Sequence, residues 1–237
     1  MNGTANDAER LIDAALALTA ERGWRNLTLP QIAAKADMSL ADTRAAFPTK
    51  TALLNGFLAR IDRQMLAGEA PDMAENVRDR LFDVVMRRFD ALEPHKDAIG
   101  AIVDDLPADP LTALAVLPAF GNSMAWVLET AGLSASGLSG ALRINGLAII
   151  YLTTLRTWLQ DDSADAARTM AALDRALRRT EMLIRTCPGL PSLRSRQPDT
   201  GYTGWTPGKG PVGEVPSGEV PSGAVPSGDA PGAGSLG

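Results

Sequence analysis

Residues 27–50, LTLPQIAAKADMSLADTRAAFPTK, restrict this chain more than any other stretch. Thr28, Pro30 and Gln31 form a capping box with proline just inside a helix, so a helix is expected over about 30–36. Asp37 and Met38 read as a tight turn, Ser39 caps a further helix, and Pro48 ends it. Thr49 then caps a long helix running to about residue 67 through Leu53, Leu54, Phe57, Leu58 and Ile61. Two short helices across a tight turn, followed by a third, make a helix-turn-helix. That motif offers the N-terminal half of its second helix to a DNA groove.

The rest of the chain is read around that motif. Before it, Leu11, Ala14, Ala15 and Leu18 recur at helical spacing over about 6–22, and Gly23 suits the left-handed stop. After it, GEAPDMAEN separates a small head from a larger body. Helices are expected in the body at roughly 74–92, 95–104, 110–131, 137–160 and 163–186. Alternating apolar runs are missing, so the fold class is all-α. From residue 188 the chain is rich in Pro, Gly and Ser and ends in GEVPS-type repeats, too polar to offset their ordering entropy. The expected division is therefore a head at 5–67, a regulatory and dimerisation body at 72–187, and a disordered tail at 188–237.

The formal net charge is −5, which gives no whole-chain bias toward nucleic acid or anionic membranes. A single cysteine, Cys187, excludes an intramolecular disulfide and suits a reducing compartment, and the polar, acidic start is unlike a secretory signal. Residues 110–128 carry no charge and approach the length of a membrane span. Pro118, Gly121, Asn122 and Ser123 interrupt the run, so a buried core helix broken at the proline is expected, with no membrane span. No catalytic set stands out. His95, the only histidine, reads as a surface or cap residue without a nearby metal partner, and Cys187 has no recognisable base. The chain is expected to be no enzyme, without cofactor or metal.

Thr28, Ile32-Ala33, Ala36, Ser39, Phe47, Lys50 and Leu53-Leu54 stand in the frame of the tetracycline-repressor-like (TetR) regulators, which this chain resembles over about 5–186. The resemblance implies a cytoplasmic, dimeric, DNA-binding transcriptional repressor released by a small hydrophobic effector. Its partner would be double-stranded DNA with two pseudo-palindromic half-sites. Leu40, Ala41 and Thr43 would face base edges, while Thr28, Ser39, Arg44 and Lys50 would anchor phosphates. Phe82, Met86, Phe89, Met124, Trp126 and Tyr151 would be candidates for an effector pocket, and Met170, Leu173, Leu177 and Ile184 for the dimer contact.

Two departures bear on function. Ala41-Asp42-Thr43-Arg44 replaces the family's usual Gly-Thr-Leu-Tyr run. Over residues 1–50, Arg10, Arg22, Arg25, Lys35, Arg44 and Lys50 are matched in number by Asp7, Glu9, Asp13, Glu21, Asp37 and Asp42. Such a balance implies weak non-specific DNA affinity, since phosphate neutralisation supplies most of that term. Residues 152–179, with TWLQDDS and TMAALDRALRR, also resemble the C-terminal helices of TetR-fold, lipid-binding accessory proteins of ubiquinone biosynthesis. That similarity implies an alternative: a lipid- or isoprenoid-binding protein that does not bind DNA.

Overall fold

A computed structural model describes residues 2–186 apart from residue 164, with the side chains of 2–5 and 183–186 outside the description. The tail expected from residue 188, the thiol of Cys187 and the side chain of Ile184 therefore lie outside the described residues. Those described form nine α-helices and no strand. They are α1 (Asn2–Arg22), α2 (Leu29–Lys35), α3 (Leu40–Ala46), α4 (Lys50–Leu66), α5 (Val77–Leu92), α6 (Lys96–Asp105), α7 (Pro110–Thr130), α8 (Gly137–Leu159) and α9 (Ala167–Thr186). Single 3-10 turns at Glu93–His95 and Leu106–Ala108 flank α6, each with proline in its first turn.

Most helix starts are decided by one side chain. The carboxamide of Gln31 accepts from the Thr28 backbone N–H at 2.9 Å. Ser39, Thr49, Asn76 and Asp109 each accept an orphan backbone N–H at the start of α3, α4, α5 and α7. Asp37 adopts φ 52 in the turn between α2 and α3, a left-handed conformation that aspartate tolerates better than most residues.

Head and body share one apolar core. α1 packs on α6, and α4 packs on both α5 and α7. Trp24 is buried where the chain leaves α1, as its place after Gly23 suggests. α4 runs from the helix-turn-helix into the body, burying Leu53, Leu54, Phe57, Ile61 and Met65.

Two expectations fail in the body. α7 is not broken at Pro118 and is not a buried helix: it runs unbroken, burying only Ser123, Met124, Val127 and Leu128. Pro118 lies on its exposed side, so the Leu114 carbonyl that loses its bond faces solvent. By length and composition α7 and α8 could each cross a membrane, yet their inner faces belong to the core. The stripe on α9 is also spent internally. Leu173 and Leu177 are buried because α9 packs against α5 and α8, and Met170 is half-buried beside Phe82. Leu173 and Leu177 are thus not available to a second chain.

Candidate nucleic-acid interface and effector cavity

The helix-turn-helix surface is built from caps. The Ser39 hydroxyl accepts from Asp42 N–H at 3.1 Å and donates to the Asp42 carboxylate at 2.6 Å. Asp42, whose negative charge is unfavourable beside phosphates, therefore belongs to the lock that starts α3, where a helix N-terminus stabilises it. Thr28 donates its hydroxyl to Gln31 at 3.1 Å, so both expected phosphate hydroxyls already serve helix starts.

On α3, Leu40, Ala41, Arg44 and Ala45 are exposed, Leu40 at 55%. Arg44 makes no ion pair among the described residues. Thr43 is a correction. It is buried, with its hydroxyl donating to the Ser39 carbonyl at 2.8 Å, and cannot reach a base edge. Thr43 stands on the inner side of α3, its hydroxyl back on the Ser39 carbonyl, while Ala41 and Arg44 face out.

Lys50 is the second correction. Its ammonium donates to the Trp24 carbonyl at 2.7 Å and lies 4.8 Å from the Trp24 ring centroid. Burial lowers its pKa, against the Asp109 and Asp105 carboxylates, which raise it. Lys50 is a strut from the start of α4 to the loop after α1, rather than a free phosphate anchor. Asp105 at the end of α6 reinforces that loop by accepting from Arg25 N–H at 2.9 Å.

α4 joins α3 to the body by close contact. A Cβ on Gly56 would lie 2.6 Å from the Phe47 ring, so α3 ends with Phe47 pressed on α4 where only glycine leaves room. Farther along, Asp62 accepts from the buried Arg88 guanidinium and from the Ser123 hydroxyl at 2.5 Å. The Tyr151 hydroxyl accepts from Arg88 Nε at 3.3 Å. Desolvation acts to lower the Arg88 pKa, but Tyr151 and Asp62 outweigh it and hold the guanidinium charged. Burial pushes the Tyr151 phenol up, which keeps it neutral.

Beside this network is an apolar cavity of about 250 Å³. α4 contributes Leu54, Phe57 and Leu58, α6 contributes Ile99, Ile102 and Val103, and α7 and α8 close it with Phe120 and Tyr151 among others. The aliphatic part of Arg88 lines it while the charged end turns to Asp62. Of the six pocket candidates, Tyr151 alone lines this cavity. Phe89 and Met124 are core residues, and Trp126 lies on the surface. Phe82 and Met86 line a separate open cleft rich in carboxylates, including Asp90, Asp97 and Asp165. The sequence reading missed the pairing of Asp62 with Arg88, which are 26 residues apart. A charged residue on the apolar face of α5 was its only local sign.

His95 is not a simple surface residue. It is half-buried, edge-on to Phe57 at 5.6 Å, and burial lowers its pKa. Among the described residues no group of three His, Cys, Asp or Glu side chains is arranged for a metal. The motif Asp161-Asp162-Ser163 proves to be a clasp. Asp161 accepts from the Ser163 and Thr169 hydroxyls at 2.5 and 2.8 Å, and those bonds hold its pKa well below the carboxylate range.

Residues 11–56, which hold α2, α3 and the caps between them, match the family of bacterial regulatory proteins of the tetR type. Those residues are a TetR-type helix-turn-helix domain. The chain has the fold of TetR transcriptional regulators. A TetR transcriptional regulator from Nitrosomonas europaea is 26% identical, with a TM-score of 0.57 over 73% of this chain and 96% of that one. A TetR transcriptional regulator from Rhodococcus sp. RHA1 shares the fold at 18% identity, with a TM-score of 0.52 over 73% of this chain and 95% of that one. No curated protein sequence matches the chain.

Proposed function

We propose that this chain is a TetR-family, cytoplasmic, dimeric transcriptional repressor that leaves its operator when a small apolar effector enters the cavity between α4, α6, α7 and α8. The observation that carries the reading is the double duty of α4. Gly56 seats Phe47 at the end of the recognition helix, and Leu54, Phe57 and Leu58 wall the cavity one face away. α6 is shared likewise: Asp105 holds the loop after α1, while Ile99, Ile102 and Val103 line the cavity. An effector that fits one arrangement of α4 and α6 better than another shifts the head between two orientations.

In this reading the head, residues 5–67, docks α3 in the major groove. Leu40 and Ala41 meet base edges, Arg44 supplies the leading phosphate contact, and Thr28 and Ser39 act through the helix N-termini they cap. The body, residues 72–187, holds effector and partner. The test is a salt-dependent mobility shift with the chain's own upstream DNA. Specific binding is expected, and Arg44→Ala should weaken it while reducing the salt slope by about one charge. The balanced head charge and the nearly unrelieved apolar lining of the cavity favour a second reading, an isoprenoid- or lipid-binding protein without DNA binding. Absence of any shift at low salt, with isoprenoid lipid co-purifying, would replace the first reading by the second.

A further inference from the structure

The 3-10 turn before α6 sets the chain's single histidine against the head. His95 is half-buried, and its ring stands edge-on to Phe57 of α4 with 5.6 Å between centroids. α1 faces it across a groove, lined by Asp13, Leu16, Ala17 and Ala20 on one side and by residues 93–98 on the other. The His95 side chain makes no capping bond to α6, so packing seats it. Charges of the head are pinned at the same spot. Arg60, only 17% exposed, pairs with Asp13 at 2.5 Å and with Glu9 at 3.3 Å, which braces α4 against α1. The charged neighbours on the body side are engaged elsewhere or turned outward. Glu93 accepts from the Trp158 indole, Lys96 donates to the Asp161 carbonyl, and Asp97 is exposed.

We propose that His95 is an acid-sensitive latch between head and body. Neutral, its ring closes the joint of α1, α4 and the turn before α6; protonated, it leaves that seat and α1 loosens from α6. A charged imidazole in this seat must lose water and face the Arg60 guanidinium, and both effects oppose the proton. Asp13 favours the proton, but Arg60 already holds that carboxylate. The balance lowers the His95 pKa from its ordinary 6.5. The neutral seat therefore contributes fully above that pH, and its contribution is lost as pH falls through the lower, folded value. The joint leads in two directions. Arg10, one turn before Asp13 on α1, donates to the Ala36 carbonyl at 2.5 Å, beside the turn of the helix-turn-helix. Phe57, which His95 meets edge-on, also lines the apolar cavity. Opening the latch thus loosens the support of α2 and α3 together with one wall of the cavity. The latch works whether or not the head binds DNA.

Proton NMR of the full-length chain from about pH 5 to about pH 8 follows one imidazole, since the chain has one histidine. Its midpoint is expected below 6.5. Amide exchange, corrected for its intrinsic pH dependence, should show α1 and residues 95–98 protected at about pH 7.5 and less protected, by about threefold or more, at about pH 5.5. His95→Gln, neutral throughout, should keep the protection and lose its acid dependence. Asp13→Asn is the second variant should His95→Gln fail to fold: without the carboxylate that favours the proton, the midpoint should move further down. A midpoint at or above 6.5, equal protection of α1 at both pH values, an acid loss that His95→Gln retains, or a midpoint raised by Asp13→Asn would overturn the proposal.

Discussion

The head and the body are held together by different kinds of bond. In the helix-turn-helix the caps that start α2, α3 and α4 span three or four residues: Gln31 back to Thr28, Ser39 to Asp42, Thr43 to Ser39, Thr49 to Ala52, while longer bonds such as Lys50 to Trp24 and Arg10 to the Ala36 carbonyl tie that unit to α1. In the body the bonds that join one helix to another span tens of residues: Arg88 to Asp62 and Tyr151, Trp158 to Glu93, Lys96 to the Asp161 carbonyl, Arg80 to the Ala131 carbonyl. Short-range bonds form within a local segment and tolerate movement of the whole unit. Long-range bonds exist only once the helices are packed, and they fix which helix faces which.

If this contrast is right, cutting a body bond should unsettle the whole fold, and cutting a head bond should act locally. The largest effect is expected for Asp62→Ala. It strands a buried guanidinium and should cost about 3–5 kcal/mol in denaturant unfolding. A loss below about 1 kcal/mol would mean that Tyr151 and water suffice for Arg88.

Next comes acid sensitivity at the α8–α9 clasp. The Asp161 carboxyl titrates below its ordinary 3.8, so its stabilisation is complete above that pH and lost as pH falls through the lower, folded value. Asp161→Asn should lower stability at neutral pH and flatten the acid limb of the stability profile. An unchanged acid limb would exclude the clasp as its source.

At the joint between the regions, Gly56→Ala should cost about 1–3 kcal/mol by forcing the Phe47 ring aside. It should also weaken operator binding more than that loss of stability explains, compared with an equally destabilised core variant. The smallest effect belongs to the head. Ser39→Ala should cost about 1 kcal/mol, seen as faster amide exchange confined to α2 and α3. Loss of protection spreading into α5 or α8 would remove the distinction between the two regions.

The same contrast explains what could be read from the chain alone. Capping box, turn, caps and stripes are local patterns, so the helices appear in the sequence close to where the structure has them. On α3, Leu40, Ala41 and Arg44 are exposed as helical spacing implies. Thr43 and Lys50 differ because each found a backbone carbonyl to bond, and the Lys50 partner, Trp24, lies 26 residues away. The pocket was mostly illegible for a related reason. Phe89 and Met124 are as large and apolar as Leu54 and Phe120, and only the arrangement of the five helices around it decides which of them meet a void.

Sequence by itself determined the all-α class, the helix-turn-helix and its caps, because those follow from the bonding and shape of residues three or four apart. Tertiary structure alone decided which apolar stripe is buried and which is bare. Leu173 and Leu177 on α9 repeat at helical spacing much as Leu138, Leu142 and Ile149 do on α8. The first stripe is covered by α5 and α8, and the second is left outward. A helical stripe has one spacing whether its partner is the same chain or another, so burial had to come from the fold.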